Sequence, residues 1–138
     1  MEIGERLRAC FERLPDLGVV SVYLFGSRAA GRAHRESDVD VGVLLDRGRH
    51  PTREERFEAR IRLGSELIDA LDSNDVDVVI LNDAPPPLGR RVVTEGRRVF
   101  LADSRADLRY VRDVQLRAAD LLPFLERTRR IKLEALRR

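Results

Sequence analysis

The sequence predicts an α/β (α+β) fold, a small β-sheet packed by helices. Three observations predict it. Two apolar runs rich in β-branched residues, Val19 to Phe25 and Val39 to Leu45, have strand length, and the first stops at Gly26-Ser27. A third run, Asp75 to Leu81, alternates polar and apolar residues at its start. Around these runs, apolar residues recur every three or four positions, as one face of a helix requires.

In chain order, residues 2–14 read as a helix with Ile3, Leu7, Cys10, Phe11 and Leu14 on one face, ended by Pro15-Asp16-Leu17-Gly18. Strand one is Val19 to Phe25. Residues 27–32 read as a short helix and 33–37 as a loop. Strand two is Asp38 to Leu45, and Asp46 to Pro51 is turn-rich. Thr52 and Glu55 have capping-box spacing, so a long helix starts there. Its expected buried stripe is Phe57, Ile61, Gly64, Ile68 and Leu71, and Asp72-Ser73-Asn74 stops it. Strand three is Asp75 to Leu81. The prolines at 85–87 place Asp83 to Pro87 in a loop, because proline is excluded from helix interiors. Leu88 to Glu95 reads as a short helix stopped at Gly96, and Arg97 to Leu101 as an edge strand. From Asp103 the pattern is helical again. Ser104 is the expected N-cap, with Asp107 three residues on, and Leu108, Val111, Val114, Ala118, Leu121, Leu122 and Leu125 are the expected stripe. Pro123 should kink or split this helix.

With 138 residues, one domain is expected over 1–138, its core at about 19–101 and a helical extension at about 103–138. Hydrophobic residues make up 43% and charged ones 36%, so the chain reads as globular rather than disordered. No apolar run approaches a membrane span, and the first residues lack a secretory apolar region, so a cytoplasmic location is expected. The lone Cys10 falls on a buried helical face and makes no internal disulfide. No Cys/His cluster suggests zinc. A net charge of +2 gives no argument for nucleic acid as a direct target. The basic excess lies after residue 103, where a kinked helix with a basic tail offers a partner-binding surface beside its ordinary role in packing.

The residues that carry chemistry lie between strands one and two. Asp38 and Asp40 share one strand face, because side chains alternate. Adjacent carboxylates repel unless a cation sits between them. Mg²⁺, a hard ion taking oxygen ligands and sharing them with phosphates, suits such a pair. A calcium loop does not fit, since Asp38-Val39-Asp40-Val41-Gly42 lacks the third acidic position and the distal Glu. Gly26 lets backbone approach a ligand closely, and Ser27 at a helix start can cap that helix, bind a phosphate oxygen, or do both. Arg28 and Arg32 are candidates for phosphate charge or are simply exposed, and His34 reads as a solvated loop residue. Ser37 can hold the loop before Asp38. On strand three, Asp77 and Asp75 share a face, and Asp77 is favoured as a third carboxylate.

Gly26-Ser27, residues 28–37, then Asp38-Val39-Asp40 resembles the signature of the DNA polymerase β-type nucleotidyltransferase superfamily, Gly-Ser followed ten residues later by Asp-x-Asp. The shortness of the chain, and Asp77-Val78-Val79-Ile80-Leu81-Asn82, resemble the minimal nucleotidyltransferase (MNT) branch, many members of which are antitoxins paired with HEPN toxins. The resemblance implies a nucleotidyltransferase fold with a small mixed sheet. It implies Mg²⁺, one or two ions, on Asp38, Asp40 and Asp77, and phosphates at Gly26, Ser27, Arg28, Arg32 and Ser37. It implies ATP as substrate and AMP transfer to a tyrosine of a cognate HEPN toxin, within a homo- or hetero-oligomer. Family members commonly carry Arg just before the second glycine, where this chain has Ala30. Two alternatives stand beside this reading. One is an antitoxin acting by binding alone over a vestigial site, and the other is nucleotidyl transfer to a small molecule.

Overall fold

The first strand, β1 (Val19–Phe25), is set off by a left-handed glycine at each end, Gly18 with φ 62° and Gly26 with φ 78°. In the computed structural model, residues 2–26, 39–73 and 75–137 are described. A helix, α1 (Ile3–Glu12), precedes β1, and a 3-10 turn at Pro15–Leu17 joins them. After β1 come β2 (Val39–Leu45), α2 (Arg53–Leu71), β3 (Val76–Ile80), α3 (Pro86–Glu95), β4 (Arg97–Leu101) and α4 (Ser104–Arg137).

Among the described residues the strands form one mixed sheet in the order β3-β2-β1-β4. β1 runs antiparallel to β2 and β4, whereas β2 and β3 are parallel and are joined by α2 as a crossover. Alternation sends Val39, Val41, Val43 and Leu45 to one face, where they meet Leu7 and Phe11 of α1 and Leu63 and Leu67 of α2. Phe11 stacks on Phe100 of β4, ring centroids 5.8 Å apart. The opposite face carries Tyr23, Leu44 and Leu81 against Val92 of α3, with Tyr110 of α4 packed on them. α3 and α4 approach closely at Gly89, where a Cβ would overlap the Tyr110 hydroxyl and press on Val114.

Side chains fix the crossover. Thr52 caps α2, its Oγ1 accepting from the Glu55 amide at 3.1 Å. Arg56, buried, grips Asp83 with two N–H groups at 2.9 Å and donates a third bond to the His50 carbonyl. That fork onto Asp83 pushes the Arg56 pKa up, against the opposing cost of burial. Asn82 extends the β2–β3 ladder: its amide oxygen accepts from Leu45 N at 2.8 Å and its Nδ2 donates to Leu45 O at 2.9 Å.

Several expectations need correction. The buried stripe of α2 is Arg56, Ala59, Leu63, Leu67 and Leu71, while Phe57 is 56% exposed and Ile61 59%. Two stripes on this helix satisfy helical spacing, and periodicity does not choose between them. Next, α3 begins inside the proline run. Pro86 sits in its first turn, where a missing N–H costs nothing and the fixed φ already suits a helix. Last, the cap of α4 is Asp103, whose Oδ1 accepts from the Ala106 amide, rather than Ser104. Val114 and Ala118 are buried as expected, whereas Leu108 and Leu121 are exposed. The helix is one element over Ser104–Arg137, so Pro123 does not split it.

Asp107 has a structural task that its capping position does not suggest. It is 2% exposed, accepts from the Tyr23 hydroxyl at 2.8 Å and pairs with Arg98 at 3.0 Å, so it ties α4 to β1 and β4.

Candidate active site

The sheet's registers line up the candidate residues. Phe25 of β1 stands opposite Asp40 of β2, and Asp40 stands opposite Asp77 of β3. Asp40 and Asp77 thus pair across two strands at one end of the sheet, and Gly26, the residue after β1, completes the row against the Asp40 carboxylate. Adjacent strands lie about 4.8 Å apart, so Asp40 and Asp77, on one face and in register, are neighbours. That face is the one on which Gly42 meets Val92 and Leu81.

Gly26 is required by its contacts as well as by its φ. A Cβ there would overlap the Asp40 carboxylate, which lies against the Gly26 backbone. The strand end and the carboxylate therefore occupy one small volume. Asp77 is on the edge strand, and its side chain is 61% exposed. The Arg60 guanidinium of α2 reaches round the edge to 4.0 Å from Asp77 Oδ1, and its Nε donates to the Val78 carbonyl at 2.8 Å. Asp75 engages the sheet through its backbone, its carbonyl accepting from Val39 N at 2.8 Å. It precedes β3, one alternation away from the position opposite Asp40.

Ser27, Arg28, Arg32, His34, Ser37 and Asp38, with the expected helix at 27–32, lie outside the described residues. Among the described residues no three His, Cys, Asp or Glu side chains gather around a point, and the row supplies two carboxylates. Their donor set is all oxygen, which suits Mg²⁺ and not the nitrogen and sulfur ligands that select zinc. The in-register pair on one face is where such an ion fits. Sequence reasoning missed Arg60. No local pattern marks a helical arginine that curls over a strand edge, and only the α2–β3 packing brings it there.

The family described as polymerase beta, nucleotidyltransferase matches residues 5–105. The chain belongs to that family. The protein adenylyltransferase MntA of Shewanella oneidensis is 35% identical to this nucleotidyltransferase over 109 residues, spanning 76% of this chain and 69% of MntA. A crystal structure of a toxin–antitoxin with AMP-PNP matches with a TM-score of 0.66 at 27% identity, covering 99% of each chain. The toxin–antitoxin MntA-HepT structure matches with a TM-score of 0.61 over 100% of both chains at 24% identity, a likeness of fold. The nucleotidyltransferase fold expected from the sequence is therefore borne out, mixed sheet and long C-terminal helix included. No helix among the described residues is long and apolar enough to cross a membrane.

Proposed function

We propose that this nucleotidyltransferase moves AMP from ATP to a tyrosine hydroxyl of a cognate HEPN-type toxin and thereby neutralises it. The observation that carries the reading is the row Gly26, Asp40 and Asp77. Support comes from the adenylyltransferase activity for which its MntA relative is named, and from the AMP-PNP in the similar toxin–antitoxin. The reading takes residues 1–138 as one domain acting in the cytoplasm.

Asp38, Asp40 and Asp77 would hold Mg²⁺, one or two ions. When bound, the ion would neutralise phosphate charge and stabilise the attacking and leaving oxygens. The chain's own groups do the rest. Gly26 and Ser27 seat the phosphates, because glycine allows close backbone approach and a serine hydroxyl can bond a phosphate oxygen. Arg28, Arg32 and Ser37 are the remaining residues assigned to the triphosphate, the arginines offsetting its charge. Asp77, on the open edge, is the proposed base for the incoming hydroxyl or a ligand of the second ion. The hydroxyl oxygen bonds to the α-phosphorus, the bond from that phosphorus to the bridging oxygen breaks, and pyrophosphate leaves with that oxygen. Positioning and fixed charge supply most of the acceleration.

The test is transfer of label from ATP, labelled at the α-phosphate, to a cognate HEPN-type toxin. Labelling is expected with Mg²⁺, and is expected to vanish with a chelator and with Asp40→Asn plus Asp77→Asn at unchanged circular dichroism. Equal labelling by the double variant overturns the site assignment.

A further inference from the structure

We propose that the trough between α2 and the open edge of β3 is the docking surface for the acceptor protein, which lays an apolar helical face over Phe57 and Ile61. The proposal rests on the transfer reading above, whose site it extends.

The trough is built by the second stripe of α2. Phe57 and Ile61, one helical turn apart, are more than half exposed although large and apolar. Gly64 continues the stripe with open space over its Cα, and Ile68 closes it. Isolated exposed apolar residues are ordinary, but a contiguous stripe beside a cleft marks an interaction site. Two cavities, of 390 and 510 Å³, lie between this stripe and β3, and both are lined by Phe57, Arg60 and Val78. They are two halves of one groove.

The groove leads into the active site, since Asp77 lines its second half. Topology makes this the acceptor's side. Gly26, the phosphate end of the row, directly follows β1, which is flanked by β2 and β4, whereas Asp77 belongs to the edge strand. A protein acceptor can bring a hydroxyl to Asp77, 61% exposed, from that open edge. Strand addition there is obstructed, because Arg60 Nε already occupies the Val78 carbonyl. Docking is left to side chains, and the four-residue spacing of Phe57 and Ile61 suits a helix laid in the groove. The guanidinium groups of Arg53, 81% exposed, and Arg60 border the trough and suit acidic residues flanking the partner's apolar face.

The test uses the full chain and a cognate HEPN-type toxin. Phe57→Glu plus Ile61→Glu alters exposed positions, so melting should change little. Toxin affinity, measured calorimetrically without ATP, should fall at least roughly tenfold while Mg·ATP affinity holds. Undiminished toxin affinity overturns the proposal. If Mg·ATP affinity falls too, a photo-crosslinker placed at position 61, or at Leu116 on α4 as control, decides. Toxin adducts from 61 support the trough, whereas adducts from 116 alone, or only self-adducts from 61, overturn it. A wild-type chain that binds toxin without transferring AMP refutes the transfer reading, and toxin affinity still judges the groove.

Discussion

Replacing Gly26 with alanine separates a structural glycine from a catalytic one. Gly26 has φ 78°, a left-handed conformation that costs an L-residue about 1–2 kcal/mol. For a chain of this size that is roughly 2–8 °C in melting temperature. The added methyl group also overlaps the Asp40 carboxylate, so either the strand end or the carboxylate must move. A displacement on the order of 1 Å in a positioned group costs roughly 10²-fold in rate. Gly26→Ala should therefore melt only modestly lower yet lose about two orders of magnitude in AMP transfer. The assays are calorimetric melting and the rate of label transfer under saturating Mg·ATP. Transfer within threefold of wild type would show that the Asp40 carboxylate is not held where the chemistry occurs, and the row would lose its meaning.

Other perturbations test the scaffold. Asp107→Ala leaves the buried Tyr23 hydroxyl without its acceptor and should cost about 1–3 kcal/mol in urea unfolding, with Asp107→Asn, which keeps an acceptor, costing less. Arg56→Lys keeps the charge but not the planar fork onto Asp83 and the His50 carbonyl, so it should destabilise by about 1–2 kcal/mol although it is nominally conservative. The two tyrosines should resist alkali. Burial, with a smaller push from the Asp113 charge, raises Tyr110 from 10.0 to about 12, and burial plus the Asp107 hydrogen bond raises Tyr23 further. A pKa raised in the fold means that stability is intact below pH 10 and declines as pH climbs from there through 12. Absorbance at the phenolate band should show neither tyrosine ionising near pH 10.5 until denaturant is added.

Much of the fold was legible because it is written in local signals. β1 spans Val19–Phe25 as the apolar run does, and β4 spans Arg97–Leu101. Thr52 caps α2 because a hydroxyl three residues ahead of a free amide has little else to do. What escaped reading depends on long-range packing. The choice between the two stripes of α2 is made by which side faces the sheet. Asp107 looks like a helix-start carboxylate until α4 lies across β1, where Tyr23 and Arg98 claim it. At the site, the sequence placed Asp40 and Asp77 each on a strand. Their pairing is a fact of register between strands separated by a whole helix, and alternation alone left Asp75 in contention.

That register bears most of the weight. Slipping β3 by one residue against β2 would turn Asp77 to the opposite face, toward α2, and put Val76 or Val78 beside Asp40. A parallel pair has no tight turn to fix its alignment, since its ends are joined through nineteen residues of α2. The alignment is fixed instead by side chains beyond the site. Asn82 donates to and accepts from Leu45 as another strand residue would, and Arg56 clamps Asp83 immediately after it. Arg60 then holds Val78 next to the carboxylate itself. Three polar side chains thus decide on which face of the sheet Asp77 appears. Asn82 and Asp83 follow β3 directly in the chain, so the strand that carries Asp77 is continuous with the segment that locks its register.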